Sequence, residues 1–193
     1  SSFLVSLLHA LYTYQNKYIS SKKLAEETVN IELNILKEPI GKQDQYIAAF
    51  GGFRYIQFNP DESVFVENII CSRETKENLE NRVLMFYTGK TRSASQILSK
   101  LNPDNPVTFN KLLELKKSTL ELKDQLNTNN LDNFGASLDY AWKIKKSLSE
   151  DISNSFIDEI YEKAIKSGAL GGKLLGAGNS GFLLFYCEED KKN

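Results

Sequence analysis

The feature that most limits the fold is a glycine-rich run near the end of the sequence, Gly176-Ala177-Gly178-Asn179-Ser180-Gly181, which lies between two apolar stretches. Glycines at the spacing G-x-G-x-x-G mark a dinucleotide-binding fold only when they open a helix. Here Phe182 to Cys187 has the pattern of a strand, so that fold is rejected and a strand, a turn and a second strand are predicted. The residues alone do not decide between a simple hairpin turn and a loop whose backbone a ligand can approach.

The charge and hydrophobic content narrow the class of protein. The 193 residues include 24 Lys and Arg against 25 Asp and Glu, for a formal net charge of −1, and 41% are hydrophobic. That is enough for one sizeable core or two small ones. We expect no nucleic-acid partner, because the balanced charge attracts no polyanion. We expect no membrane partner either, since no stretch approaches the roughly 18 apolar residues of a span. The prediction is a cytoplasmic protein with Cys71 and Cys187 as buried free thiols.

The first residues already have the pattern of a packed helix. Leu4, Leu8 and Leu11 follow the i, i+4, i+7 spacing, and no initiator Met precedes them. A helix with nothing before it suggests a fragment, so we expect this sequence to be incomplete. His9, the only histidine, is more typical of a surface or packing residue than of a catalytic one.

Periodicity, glycine and proline predict a mixture of helices and strands. Helices are predicted at about 2–15, 20–38, 42–50, 91–100, 107–128, 131–149 and 153–167. Strands are predicted at 53–58, 64–66, 68–71, 83–87, 173–175 and 182–187, with 83–87 buried. Residues 72–82 are mostly polar and charged, and we place a domain boundary there, between residues 76 and 77.

Glu32 is the first candidate functional residue. It shares one helix face with Ala25, Val29 and Leu36, so a carboxylate sits in an apolar stripe. A buried carboxylate needs a cation or hydrogen-bond donors. A salt bridge, or a stripe edge that reaches solvent, would explain it without a function.

Asp44 follows Pro39 and Gly41 and falls in the first turn of the next predicted helix. An aspartate there is often only a cap, since free N–H groups and the helix dipole favour negative charge. A turn at Gly41 would, however, bring Asp44 back toward Glu32. Two carboxylates near one cleft, one for a metal and one for a proton, suit phosphoryl transfer to a hydroxyl.

The stretch Thr88 to Ala94 lies between a predicted strand and helix and contains Lys90 and Arg92. Such turns bind anions through backbone N–H groups and basic side chains. A solvated turn in which Thr91 or Ser93 caps the helix is equally compatible with the pattern.

Four blocks of the sequence, in this order, resemble the GHMP kinases, a superfamily of small-molecule kinases. They are residues 1–12, 38–59, 86–98 and 171–186. GKQDQYIAAFGG and TGKTRSA together are highly specific to the family. The resemblance implies an α+β fold. A truncated region similar to ribosomal protein S5 domain 2 would occupy residues 1–76, and a ferredoxin-like C-terminal domain residues 77–193.

The resemblance also implies roles for the two carboxylates. The aspartate of the family's G-x-x-D-Q segment acts as the catalytic base, which corresponds to Asp44. The glutamate seven residues before the proline binds magnesium, which corresponds to Glu32.

Nucleotide contacts are implied at both ends of the chain. Ser1 and Ser2 resemble the last residues of the family's phosphate-binding loop, most of which would be absent. Gly176, Gly178 and Gly181 correspond to its third motif, ordinarily GAGGGG.

In this sequence, Asn179 and Ser180 replace two glycines of that motif. The replacement leaves the role of the loop at the phosphates open. Lys90 and Arg92 are implied contacts to an anionic sugar or to nucleotide phosphate.

The activity implied is magnesium-dependent transfer of the γ-phosphoryl group of ATP to a sugar hydroxyl, most specifically C1 of D-glycero-D-manno-heptose 7-phosphate. The residues present would be expected to have little activity alone. A fucose- or galactose-type kinase and a non-catalytic sugar- or nucleotide-binding relative are the alternatives.

Overall fold

The computed structural model describes residues 1–90, Ile97 and residues 103–192. The chain forms two compact units, Ser1–Ile69 and Ile70–Asn193. The predicted boundary after residue 76 lies within the first helix of the second unit. The predicted helix at 91–100 falls, apart from Ile97, outside the described residues.

The first unit contains four helical segments and one hairpin. The segments are α1 (Ser2–Tyr14), α2 (Ser21–Val29), a π-helical turn (Asn30–Ile35) that continues α2, and α3 (Gln43–Phe50). The strands are β1 (Arg54–Phe58) and β2 (Val64–Asn68), which pair antiparallel. The Ser20 side chain accepts a hydrogen bond from the Lys23 N–H, so it caps α2 as the sequence predicts.

The core of the first unit is built by α1, α2 and α3, which pack against one another. Val5, Ile19 and Leu24 are buried together, with Leu8 and Tyr12 at their edge. Tyr46 of α3 is buried and meets Phe58 of β1 edge to face at 5.8 Å between ring centroids. The hairpin is thereby attached to the same core.

Two predictions for the first unit are wrong. The strands predicted at 64–66 and 68–71 are a single strand, Val64–Asn68, whose paired register with β1 ends at Arg54 and Asn68. The helix predicted to continue to residue 38 changes to π geometry at Asn30 and ends at Ile35.

The second unit contains helices around a three-stranded sheet. Its helices are α4 (Arg73–Arg82), α5 (Pro106–Asn127), α6 (Phe134–Lys146) and α7 (Ser155–Lys166), with short 3-10 turns at Glu150–Ile152 and Glu189–Lys191. Its strands are β3 (Val83–Tyr87), β4 (Ala169–Leu174) and β5 (Phe182–Cys187). The sheet is antiparallel in the order β3-β5-β4.

Helix α6 packs on β4 at very short range. A Cβ placed on Gly171 would lie 1.8 Å from the Gly135 carbonyl oxygen, and one placed on Gly135 would lie 2.6 Å from Leu170 Cβ, so both positions require glycine. The buried core beside it is built around Trp142, the only tryptophan of the chain, with Leu174, Leu183 and Phe185.

Two further predictions for the second unit need correction. Residues 73–82, for which no helix was predicted, form α4; Ser72 caps it by accepting a hydrogen bond from the Thr75 N–H. Strand β3 has the predicted bounds but is not buried: Met85, Phe86 and Tyr87 are each more than half exposed.

No described helix is both long and apolar enough to cross a membrane.

Candidate active site

Glu32 is a buried carboxylate, and both of its oxygens have hydrogen-bond or ion-pair partners. It is 9% exposed. Its Oε2 accepts hydrogen bonds from Ser1 Oγ at 2.8 Å and from Gln45 Nε2 at 2.5 Å, and the Ser1 amino nitrogen lies 3.2 Å from Oε1. Because an unpaired carboxylate would be very costly at this depth, these donors are what allow it to be buried.

Burial raises the pKa of Glu32, but the hydrogen bonds from the Ser1 hydroxyl and Gln45, together with the hydrogen bond and charge of the Ser1 amino group, hold that pKa below its ordinary value. Glu32 is therefore ionised at neutral pH. An ionised carboxylate is the form that binds a cation.

The π-helical turn determines where Glu32 points. The Leu36 N–H donates to the Ile31 carbonyl oxygen, five residues back, where an α-helix would bond four back. The wider turn shifts the side-chain phase, so the predicted apolar stripe holds at Glu32 but fails at Leu36, which is 61% exposed. Turns of this kind are frequent at functional sites.

Asp44 lies in the first turn of α3 and is exposed. Among the described residues, its carboxylate has no hydrogen bond or ion pair. The N-cap position of α3 belongs to Lys42, whose side chain makes no cap bond. The interpretation of Asp44 as a cap therefore has no hydrogen bond to support it, and its carboxylate is available for other chemistry.

Gln45 is the residue of this site that the sequence did not single out. It is completely buried, and its Nε2 is the donor to Glu32. Its Oε1 is buried without a hydrogen-bond partner among the described residues. Gln45 thus ties the helix of Asp44 to the carboxylate of Glu32. The only sequence signal for it was its place in the G-x-x-D-Q segment.

Ser1 and Ser2 begin α1 but face different surroundings. Ser1 occupies the N-cap position, yet its side chain makes no cap bond and bonds Glu32 instead. Ser2 is the exposed first residue of the helix. Ser1, Glu32, Gln45 and Asp44 all belong to the first unit.

The glycine loop belongs to the second unit and connects β4 to β5. Four of its residues have positive φ: Gly176 (70°), Gly178 (127°), Asn179 (62°) and Gly181 (109°). A Cβ on Gly178 would lie 2.8 Å from the Ile152 carbonyl oxygen, whereas open space surrounds the same position at Gly176 and Gly181.

Hydrogen bonds to other segments fix the middle and the end of this loop. The Asn179 N–H donates to the Ile152 carbonyl oxygen at 2.7 Å. Asn154 Nδ2 donates to Asn179 Oδ1 at 2.6 Å and to its carbonyl oxygen at 3.0 Å. The Gly181 N–H donates to Thr88 Oγ1 at 3.0 Å. The asparagine that replaces a glycine therefore anchors the loop while keeping the left-handed backbone that glycine would allow.

Lys90 is exposed and lies 5.6 Å from the centre of the Phe156 ring. The nearby Thr88 bonds the end of the glycine loop, so the start of the TGKTRSA segment contacts that loop. Arg92 lies outside the described residues. The role predicted for these two basic residues stays a prediction.

Two described cavities lie in the first unit. One of about 340 Å³ is lined by His9, Thr13 and the turn after α1, and includes none of the predicted site residues. The other, of about 250 Å³, is lined on one side by Lys42 and Tyr46, which flank Asp44 in sequence, and on others by Lys22 and Glu62. The chemistry points to the Glu32 region rather than to the larger cavity, because Glu32 is the buried charged residue among the described residues of the first unit.

Residues 122–193 match the family described as GHMP kinases C terminal. The D-glycero-alpha-D-manno-heptose 7-phosphate kinase of Campylobacter jejuni is 30% identical over 196 residues, which cover 100% of this chain and 57% of that protein. Residues 122–193 are a GHMP kinase C-terminal domain. The family-level prediction and the α+β fold class are confirmed.

Two solved structures of similar fold agree with this GHMP assignment. A putative sugar kinase from Campylobacter jejuni has a TM-score of 0.74 and 28% identity, covering 100% of this chain and 55% of that one. A D-glycero-D-manno-heptose 1-phosphate kinase from Bacteroides thetaiotaomicron has a TM-score of 0.71 and 25% identity, covering 99% and 52%. The chain spans just over half the length of each relative.

Proposed function

We propose that this GHMP kinase chain is part of an ATP-dependent sugar kinase, with Asp44 as the base and Glu32 as the magnesium ligand. The observation that carries the proposal is the link through Gln45: a buried ionised carboxylate is hydrogen-bonded to the residue next to an exposed, unpaired aspartate. One carboxylate is held and shielded, while the other is free to reach a substrate. Phosphoryl transfer to a hydroxyl needs one group that binds the metal ion and another that accepts the hydroxyl proton.

The residues around Glu32 fit magnesium. Mg²⁺ prefers oxygen ligands and is usually held by one or two carboxylates together with substrate phosphates and water. Glu32 supplies an ionised carboxylate, Ser1 Oγ a hydroxyl oxygen beside it, and Gln45 Oε1 a buried amide oxygen that has no partner among the described residues. No group of three or more His, Cys, Asp or Glu forms a metal site in the described part of the chain. When bound, the metal would neutralise phosphate charge.

Asp44 carries the proton in the proposed reaction. One of its carboxylate oxygens accepts the proton of the sugar hydroxyl while the hydroxyl oxygen forms a bond to the γ-phosphorus. The bond between that phosphorus and the β,γ-bridging oxygen breaks, and ADP leaves. Gln45 holds the helix of Asp44 against the buried carboxylate.

For the substrate, we propose D-glycero-D-manno-heptose 7-phosphate, phosphorylated at C1. The name of the Campylobacter jejuni relative supports this sugar phosphate, and the name of the Bacteroides thetaiotaomicron relative supports a heptose phosphate in general. The proposed partners are this sugar phosphate and ATP. A cytoplasmic location stays a prediction.

The test is ADP release by the whole protein with ATP, magnesium and a panel of the heptose 7-phosphate, L-fucose and D-galactose. The proposal expects turnover that is fastest with the heptose phosphate. Fastest turnover with fucose or galactose would refute the substrate, and nucleotide binding without ADP release for any sugar would favour the non-catalytic alternative.

A further inference from the structure

Lys145 makes an unusual set of contacts at the base of the glycine loop. It lies in the last turn of α6, and its Nζ donates to the carbonyl oxygens of Leu174 at 3.1 Å and Gly176 at 2.5 Å. One ammonium group therefore ties the end of β4 to the first glycine of the loop.

The neighbouring lysines of α6 behave differently. Lys143 Nζ lies 2.6 Å from Asp139, and Lys146 Nζ lies 3.2 Å from Asp158. Lys145 has no carboxylate within ion-pair distance among the described residues and is partly buried. A cation near a helix C-terminus is favourable, but exposed lysines satisfy that preference without a burial cost.

The charged form of Lys145 is electrostatically disfavoured at this position. Burial lowers the pKa of Lys145 to about 8, and the charge of Lys173 on β4 adds to that effect. Burial lowers the pKa of Lys173 as well. Two cations together at the start of the loop make this region electropositive, which suits a phosphate ligand.

We propose that Lys145 is a positioning residue that holds the first half of the Gly176–Gly181 loop in the conformation that contacts nucleotide phosphate. The nucleotide part of this statement rests on the proposed function. The loop's middle is anchored by Ile152 and Asn154 and its end by Thr88.

Gly176 has no such anchor. Its backbone is left-handed, and a Cβ added to it would meet nothing within 4 Å. Its carbonyl oxygen accepts a hydrogen bond from Lys145, and the preceding residue, Leu175, donates its N–H to the Phe182 carbonyl oxygen. Removing the Lys145 ammonium should therefore free the first half of the loop and leave its end in place.

The test is hydrogen–deuterium exchange of the 193-residue chain carrying Lys145→Met, read at a peptide spanning residues 175–181. Within that peptide the Leu175 amide, whose N–H donates to the Phe182 carbonyl oxygen, should exchange about ten-fold faster, because the local opening free energy falls when the Lys145 hydrogen bonds to the flanking carbonyl oxygens are lost. The amides of Asn179 and Gly181 should not change, because their acceptors are elsewhere. Exchange in β5 should stay close to that of the unmodified chain. Lys145→Arg, which keeps a cationic donor, should restore protection, and Lys143→Met is the matched control on the same helix.

Unchanged exchange in Lys145→Met would overturn the proposal. An equal rise throughout β4, the loop and β5 would also overturn it, since that pattern indicates a general structural role. If Lys145→Met does not yield soluble protein, Lys145→Gln takes its place, and its exchange in residues 175–181 is compared with its exchange in β5 in the same way.

A kinetic measurement separates this inference from the proposed function. In the whole protein, Lys145→Met should raise KM for ATP about ten-fold with a much smaller change in kcat, because it disturbs positioning rather than chemistry. A loosened loop with an unchanged KM would refute the nucleotide role of the loop and leave the role of Lys145 in holding it supported.

Discussion

At the scale of single residues, Asp44 and Glu32 are both carboxylates of the first unit but differ in burial and in hydrogen-bond partners. Glu32 is buried, accepts three donors and has a lowered pKa. Asp44 is exposed, and no described residue pairs with it. Two carboxylates in such different surroundings can serve different steps of one reaction.

Replacing Asp44 by asparagine removes the proton acceptor and keeps the size of the side chain. In the whole protein, kcat should fall roughly 10²–10⁴-fold with little change in KM, since general-base catalysis contributes about that much. Steady-state ADP release is the measurement. A loss of only a few-fold would contradict the assignment.

Gln45→Leu removes the 2.5 Å hydrogen bond to Glu32 and leaves the carboxylate with fewer donors. The first unit should lose about 1–3 kcal/mol of stability, the cost of an under-satisfied buried charge. Loss of the unpaired Oε1 offsets part of this cost. Gln43→Leu, at an exposed position of the same helix, is the control.

The measurement for Gln45→Leu is amide exchange in α2 and α3 at equilibrium. Protection that falls equally in the Gln43→Leu control would show that the effect comes from the added apolar side chain. Protection unchanged in both would show that Gln45 does not support Glu32.

Lys145 also predicts a pH dependence of stability. Its folded pKa of about 8 lies below its ordinary value of 10.5, so between these values the unfolded chain binds more protons than the folded one. Stability must therefore rise as pH increases through this window, by up to about 3 kcal/mol. Lys173 is the described charge that acts on Lys145 and contributes in the same direction.

The measurement is urea unfolding at several pH values between 8 and 10.5, followed by the fluorescence of Trp142. This single buried tryptophan reports on the second unit alone. The difference between the unmodified chain and Lys145→Met cancels the other titrating groups. A difference that does not change with pH would refute the lowered pKa.

At the scale of elements, the glycine loop combines two kinds of glycine. Gly178 approaches the Ile152 backbone so closely that a Cβ would collide with it, while Gly176 only needs its left-handed backbone. Gly178→Ala should therefore destabilise the second unit by about 3 kcal/mol or more, and Gly176→Ala by about 1–2 kcal/mol. Unfolding followed by Trp142 fluorescence measures both, and equal losses would contradict the close approach.

Element prediction succeeded where local patterns are strong. Strands β3 and β5 have the predicted bounds, because continuous apolar runs bounded by turn residues leave little choice. Helix α4 was missed since its residues are almost all polar and show no apolar period. Its capping pair, Ser72 and Thr75, was the available signal.

At the scale of the whole molecule, the proposed kinase depends on a metal that only the complete active site would hold. Removal of divalent cations with EDTA should abolish ADP release by the whole protein, and added Mg²⁺ should restore it. Glu32→Gln should raise the magnesium concentration needed for half-maximal rate by about ten-fold or more, because it removes the ionised ligand. An unchanged magnesium requirement in Glu32→Gln would show that another group holds the metal.

The sequence by itself determined the type of most elements, the apolar stripe that contains Glu32, the place of Asp44 in the first turn of a helix, and the strand–loop–strand around the glycines. Each follows from periodicity or turn chemistry over a few neighbouring residues. Only the tertiary structure decided which groups meet: Gln45 bonds Glu32 from 13 residues away, and Lys145 bonds Gly176 from 31. A buried glutamine or lysine has the same local pattern as an exposed one, and the difference is made by the partner that packing brings to it.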